Sequence, residues 1–143
     1  MASPPPLLSA LHVAFVRRSA EERGSMEAVA SEHLRLSGVY WGLACCALLR
    51  APADALGDPG ALGAWVRSCG VRSGEGCRLL GFAAAPGHDA HLLYTLSALQ
   101  VLALLGELAD VDADAVAAYV AGAAAPPPPE RRSSRPSPPP ALR

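Results

Sequence analysis

Apolar residues recur along this chain at helical spacing, in two long runs that share one layout. Leu34, Gly38, Trp41, Cys45 and Leu48 form one stripe of the first run, and Leu36, Tyr40, Leu43 and Ala47 form another. A helix apolar on both stripes is one surrounded by neighbours. The first run is uncharged from Leu36 to Leu49, and the second from Leu92 to Gly106. Laid over the first at an offset of 54 residues, Tyr40 falls on Tyr94, Leu48 on Leu102, Asp58 on Asp112 and Trp65 on Tyr119. Each copy therefore reads as a long apolar helix, a turn, an Asp, and a shorter helix with an aromatic near its end. Units of this kind bury their apolar faces only by stacking, and three or more are usual. This chain holds about two.

The pattern predicts a first helix over Leu7 to Ser19, with Leu8, Leu11 and Phe15 on one face, ended by Gly24. Ser25 caps a second helix running from about Met26 to Arg50. Asp58-Pro59 is a strong start signal, an N-cap followed by proline in the first turn, for a helix that continues to Cys69. Val71 to Gly87 is glycine-rich and reads as irregular. The next long helix starts near Asp89 and ends about Gly106, and Asp112 caps a last helix from Ala113 to about Gly122. Beyond Ala125 the prolines and arginines of residues 126–143 predict polyproline II or disorder. The domain reading is a helical arm over 1–25, a partial repeat domain over 26–125 with an insertion over 71–87, and a tail over 126–143.

Composition narrows the function classes. A length of 143 residues suits one domain. Net charge is −1, so no global field recruits nucleic acid or an anionic membrane. Both apolar runs are shorter than the roughly 20 residues needed to span a bilayer. Residues 1–20 lack the form of a signal peptide, because Pro4 to Pro6 open the region and Arg17 and Arg18 follow its apolar part. Cys45, Cys46, Cys69 and Cys77 form no C-x-x-C, a usage that points to reduced thiols and a cytoplasmic location.

Two strings are candidates for chemistry. In Gly87-His88-Asp89-Ala90-His91, two imidazoles three residues apart can share a zinc ion, but no third ligand stands nearby in sequence. The alternatives are Asp89 as a helix cap with both histidines bonded to backbone, or a polar contact to a partner. In Leu36-Ser37-Gly38-Val39-Tyr40-Trp41-Gly42, small residues between aromatics make either a helix-packing groove or an apolar ligand cavity. No nucleophile elbow, P-loop or dinucleotide fingerprint is present.

These strings, with Ser31-Glu32-His33-Leu34-Arg35, Val66-Arg67-Ser68-Cys69 and Leu92-Leu93-Tyr94-Thr95-Leu96-Ser97-Ala98, resemble the beta-subunit family of the type II (Rab) protein geranylgeranyltransferases over roughly residues 5–123. The resemblance implies an all-α fold, an α/α toroid of helical hairpins around an apolar funnel, of which this chain carries the N-terminal third. It implies a zinc-dependent transferase moving a geranylgeranyl group from its diphosphate to C-terminal cysteines of Rab GTPases. Its partners would be a helical alpha subunit and an escort protein.

By the same resemblance, Ser37, Gly38, Tyr40, Trp41, Tyr94 and Leu96 match positions lining the isoprenoid cavity. The family's zinc ligands and diphosphate-binding residues lie in later repeats, so no metal-ligating or catalytic residue is assigned here, and the chain alone is expected to be inactive. Val71 to Leu80 reads as an insertion, and the sequence from about Ala123 matches nothing in the family. Two other functions stand beside this one: a non-enzymatic helical-repeat module binding the alpha subunit or a lipid, and a small metal-binding domain using His88 and His91. A chain that does not fold alone is a further outcome, because two repeats leave an apolar edge exposed.

Overall fold

The structure is a computed structural model, and it describes residues 6–52, 54–72 and 79–124. Cys77, the tail over 126–143 and the centre of the predicted insertion lie outside the described residues. Within them the fold is six α-helices and one short hairpin: α1 Ser9–Glu21, α2 Met26–Ala30, α3 Arg35–Leu48, α4 Pro59–Ser68, β1 Gly70–Arg72, β2 Leu79–Phe82, α5 Leu92–Leu105 and α6 Ala113–Ala124. The two long helices, α3 and α5, pack against each other, and α4 and α6 pack on α5. This is the expected pair of helical hairpins.

The two copies are capped identically. Asp58 Oδ2 accepts from the Ala61 N–H at 2.7 Å, and Asp112 Oδ1 accepts from the Ala115 N–H at 2.9 Å. Each carboxylate satisfies a donor that the first turn leaves free and sits at the positive end of the helix dipole. Ser25 caps α2 in the same way, accepting from the Ala28 N–H at 3.1 Å. At the other end of α5, Gly106 adopts φ +76°, and the Glu107 N–H reaches back to the Leu102 carbonyl at 2.8 Å. This is a left-handed glycine stop.

Three predicted elements differ from what forms. The continuous helix from Met26 to Arg50 is broken. After Ala30 the Ser31 hydroxyl donates to the Glu27 carbonyl at 2.6 Å, and a 3₁₀ turn over Glu32–Leu34 leads into α3. Serine competes with the helix ladder in this way, and the new helix start is secured by the Leu36 N–H donating to the Ala84 carbonyl at 3.1 Å. The helix expected from Asp89 starts later, at Leu92, and its cap is His91, whose Nδ1 accepts from the Leu93 N–H at 3.2 Å. The segment read as irregular contains an antiparallel pair, Gly70 opposite Phe82 and Arg72 opposite Leu79, with a bulge between.

That hairpin is tied into the helices. The Phe82 N–H donates to Thr95 Oγ1 at 2.9 Å, the His91 N–H to the Phe82 carbonyl at 3.0 Å, and the Ala83 N–H to the Cys69 carbonyl at 2.9 Å. Gly81 sits at φ +106°, and a Cβ there would lie 2.8 Å from the Tyr119 ring. Only glycine permits both that backbone and that approach.

The core is Leu36, Val66, Cys69, Leu79, Phe82, Val101 and Leu102, with Ala98, Ala115 and Val116 filling between. Its residues come from α3, the end of α4, β2, α5 and α6, and each fully buried Leu or Val stabilises by about 1.5–3 kcal/mol. Alanine-rich α6 fits closely because its side chains are small.

Candidate functional site

A cleft of about 930 Å³ lies between α1, α3 and the start of α4. The sequence explains its position. Gly42 is buried in α3, and a Cβ there would lie 3.1 Å from both Val16 and Leu56. The absence of a side chain lets α1 lean on α3 at that point. Phe15, Gly38, Trp41, Leu62 and Trp65 line the opening. The Arg35 guanidinium carbon lies 5.6 Å from the Trp65 ring centroid, a cation–π distance. The rings of Tyr40 and Trp41 are tilted at 55° with centroids 4.9 Å apart.

Of the six residues matched to an isoprenoid cavity, the structure brings Gly38 and Trp41 to this cleft. The other four stand elsewhere. Ser37 is buried in the seam between α3 and α5, its Oγ 3.1 Å from Ser97 Oγ. Tyr40 and Tyr94 pack half-buried against the core, and Tyr94 lies 5.4 Å from the His91 ring. Leu96 is 54% exposed, on a face of α5 that also presents Leu93 and Leu104. Trp41 is itself 67% exposed and Leu48 is 85% exposed. Large apolar side chains therefore stand uncovered on both long helices.

Sequence reasoning did not reach Phe15, Leu62, Trp65 and Arg35 as lining. The apolar face of α1 was legible as a stripe, but nothing in the pattern said that it would cross α3 at Gly42.

The titratable groups suggest no acid–base machinery. Burial pushes the Cys69 thiol up to about 11, and burial together with neighbouring Cys45 raises Cys46. Thiols held protonated in apolar surroundings are inert. His88 Nε2 stands 3.9 Å from Glu32 Oε2, and His91 is occupied as a helix cap. Among the described residues no three His, Cys, Asp or Glu side chains converge as a metal site requires. The zinc implied by the resemblance thus finds no fitting donor set among them, and no chemistry is routed through it. Among those residues no helix is long and apolar enough to cross a membrane.

Paired helical hairpins with uncovered apolar faces on α3 and α5 define a piece of a helical-repeat toroid. Residues 7–127 match the prenyltransferase alpha-alpha toroid domain, and the chain belongs to that family. The matched span passes Ala123 and takes in the first prolines of the tail.

The chain is 39% identical over 99 residues to geranylgeranyl transferase type-2 subunit beta 1 of Arabidopsis thaliana, which covers 68% of this chain and 28% of that protein. It is 38% identical over 96 residues to the probable geranylgeranyl transferase type-2 subunit beta of Dictyostelium discoideum, covering 67% and 26%. It is 35% identical over 100 residues to geranylgeranyl transferase type-2 subunit beta of Saccharomyces cerevisiae, covering 68% and 28%. The chain thus spans between a quarter and a third of the length of these relatives.

Proposed function

We propose that this chain corresponds to the N-terminal part of a type-2 geranylgeranyltransferase beta subunit. The parent activity is transfer of a geranylgeranyl group from its diphosphate to C-terminal cysteines of Rab GTPases, performed in the cytoplasm with an alpha subunit and an escort protein. The observation that carries the reading is the family match across α1 to α6, joined to helices that leave Trp41, Leu48, Leu96 and Leu104 uncovered. Apolar faces of this size are expected where further helical hairpins or an apolar ligand would lie.

In that reading Ser37, Gly38, Tyr40, Trp41, Tyr94 and Leu96 line part of the isoprenoid cavity and supply no catalytic group. Small Ser37 and non-bulky Leu96 suit a twenty-carbon chain. The zinc and diphosphate sites belong to repeats outside this sequence, so the chain alone is inactive. Incubation with zinc, the alpha subunit, labelled geranylgeranyl diphosphate and a Rab–escort complex is expected to leave Rab unlabelled, whereas turnover refutes the proposal.

A second reading, a non-enzymatic module that binds the alpha subunit, is favoured by one observation. Helix α1 and the two residues before it present Leu7, Leu8, Leu11 and Phe15 to solvent, each more than half exposed. Retention of the chain on immobilised alpha subunit, without transfer, supports that reading.

A further inference from the structure

The two long helices match each other at an offset of 54 residues, but they are not covered alike. Helix α1 packs on α3, and the contact falls where Gly42 leaves room for Val16. Val39 and Cys46, three residues before and four after, lie on the same side of α3. Gly42 and Cys46 are buried there, and Val39 is half-buried. Adding 54 to Val39, Gly42 and Cys46 gives Leu93, Leu96 and Gln100 of α5. That side of α5 is open: Leu93 is 47% exposed and Leu96 54%. Leu104, about three turns after Leu93, extends it and is 50% exposed. The seat that α1 fills on the first repeat thus recurs, uncovered, on the second.

Helix α1 has a surface to match. It meets α3 through Val16. Leu8, Leu11 and Phe15, at three- and four-residue spacing, lie on another side and are each more than half exposed. Arg17 and Glu21 pair with each other at 2.9 Å, off that stripe. A helix apolar on two sides is one placed between two neighbours, and α3 is one of them.

The helices form a row, with α1 on α3 and α3 on α5. A further α1 on the open side of α5 continues the row with the same kind of contact, as helical repeats do when they stack. No residue from Leu92 to Gly106 is charged, so this side of α5 selects an apolar helix face over a charged segment.

We propose that the open side of α5, formed by Leu93, Leu96 and Leu104, is the seat of helix α1 from a second copy of this chain, which enters by its Leu8, Leu11 and Phe15 edge. The two surfaces differ, so the contact is heterologous: each copy uses α1 toward one neighbour and α5 toward the other. Because α1 and α5 flank α3, association does not stop at two chains. The contact is a few side chains deep on each partner, smaller than the about 1,600 Å² of a standard interface, so it is weak and grows with protein concentration. The inference concerns copies of this chain and needs no prenyl transfer.

Sedimentation velocity over a concentration series tests it with three full-length proteins: the unaltered chain, L11E/F15E and L93E/L96E. All four substituted residues are exposed. Circular dichroism checks that helix content is kept, and L11Q/F15Q or L93Q/L96Q replaces a pair that loses it. The unaltered chain is expected to pass the mass of two chains as concentration rises, and each variant alone to stay at one. Mixed, the two variants should form a one-to-one complex of about twice the mass of either and grow no further, because one retains the α5 seat and the other the α1 edge.

A single-chain mass for the unaltered protein at every concentration overturns the proposal, as does a mass that levels at two chains. Self-association of L11E/F15E overturns it by assigning the contact to α5 against α5. Self-association of L93E/L96E does so by assigning it to α1 against α1. Variants that stay single when mixed also overturn it, since neither surface then recognises the other. None of these outcomes bears on Rab prenylation.

Discussion

Ser37 of α3 and Ser97 of α5 meet hydroxyl to hydroxyl at 3.1 Å in the seam between the two long helices. Ser97 also donates to the Leu93 carbonyl at 3.0 Å. With that proton committed, Ser37 is the donor between the pair. The two repeats are thus joined by a chain of hydrogen bonds as well as by apolar packing.

This direction makes the two serines unequal. Ser37→Ala removes a donor and leaves Ser97 bonded to its own helix, so it is expected to cost about 1 kcal/mol. Ser97→Ala leaves the Ser37 hydroxyl buried without its partner, at about 1–3 kcal/mol. The double variant should lose less than the sum, because the two share one interaction. Denaturant midpoints of the four proteins check this, and equal losses for the two single variants would reverse the assigned donor.

Gly81 carries the tightest packing constraint in the hairpin. A methyl group there meets Tyr119 at 2.8 Å and Thr95 Oγ1 at 3.0 Å, in a backbone conformation that disfavours any side chain. Gly81→Ala is expected to destabilise by about 2 kcal/mol or more. Thermal unfolding measures it, and an unchanged midpoint would show that the hairpin is not held against α6.

The paired caps give an additive prediction. Asp58→Ala and Asp112→Ala should each cost about 1 kcal/mol, while Asp58→Asn and Asp112→Asn keep most of the cap. The sites sit on different helices and share no bonded partner, so the double alanine variant should lose the sum. Chemical unfolding of the set decides it.

Burial of Cys69 sets an order of thiol reactivity and a pH dependence. Its folded thiol titrates near 11 against an ordinary value of 9.0. The folded state therefore holds a proton that the unfolded chain releases first. Its contribution to stability is complete below about pH 9 and is lost as pH rises through 11. Peptide mapping after iodoacetamide at pH 8 should find Cys69 modified more slowly than partly exposed Cys45. Removing the thiol by Cys69→Ala should flatten the decline in stability across that alkaline window.

Local chemistry announced much of this fold. Asp58-Pro59, Asp112 and Ser25 are caps because a short oxygen-bearing side chain satisfies the first-turn amides next to it, and no distant residue is needed. The same holds for the Gly106 stop and for the stripes of α3 and α5. The sequence by itself therefore determined the helices, their repeat and the family.

It did not determine the break at Ser31, which depends on the Ala84 carbonyl receiving Leu36. Nor did it determine the strand pairing of Gly70 with Phe82 or the cap at His91. The first two rest on a partner many residues away, and His91 is set in its capping position by its N–H donating to the Phe82 carbonyl of the hairpin. The cleft belongs with them. Gly38 and Trp41 were visible as candidates, but Phe15, Trp65 and Arg35 join them only because α1 crosses α3 at Gly42. Hydrogen bonds within a turn are encoded where they form, whereas a concave surface exists only once separate helices have chosen their crossing point.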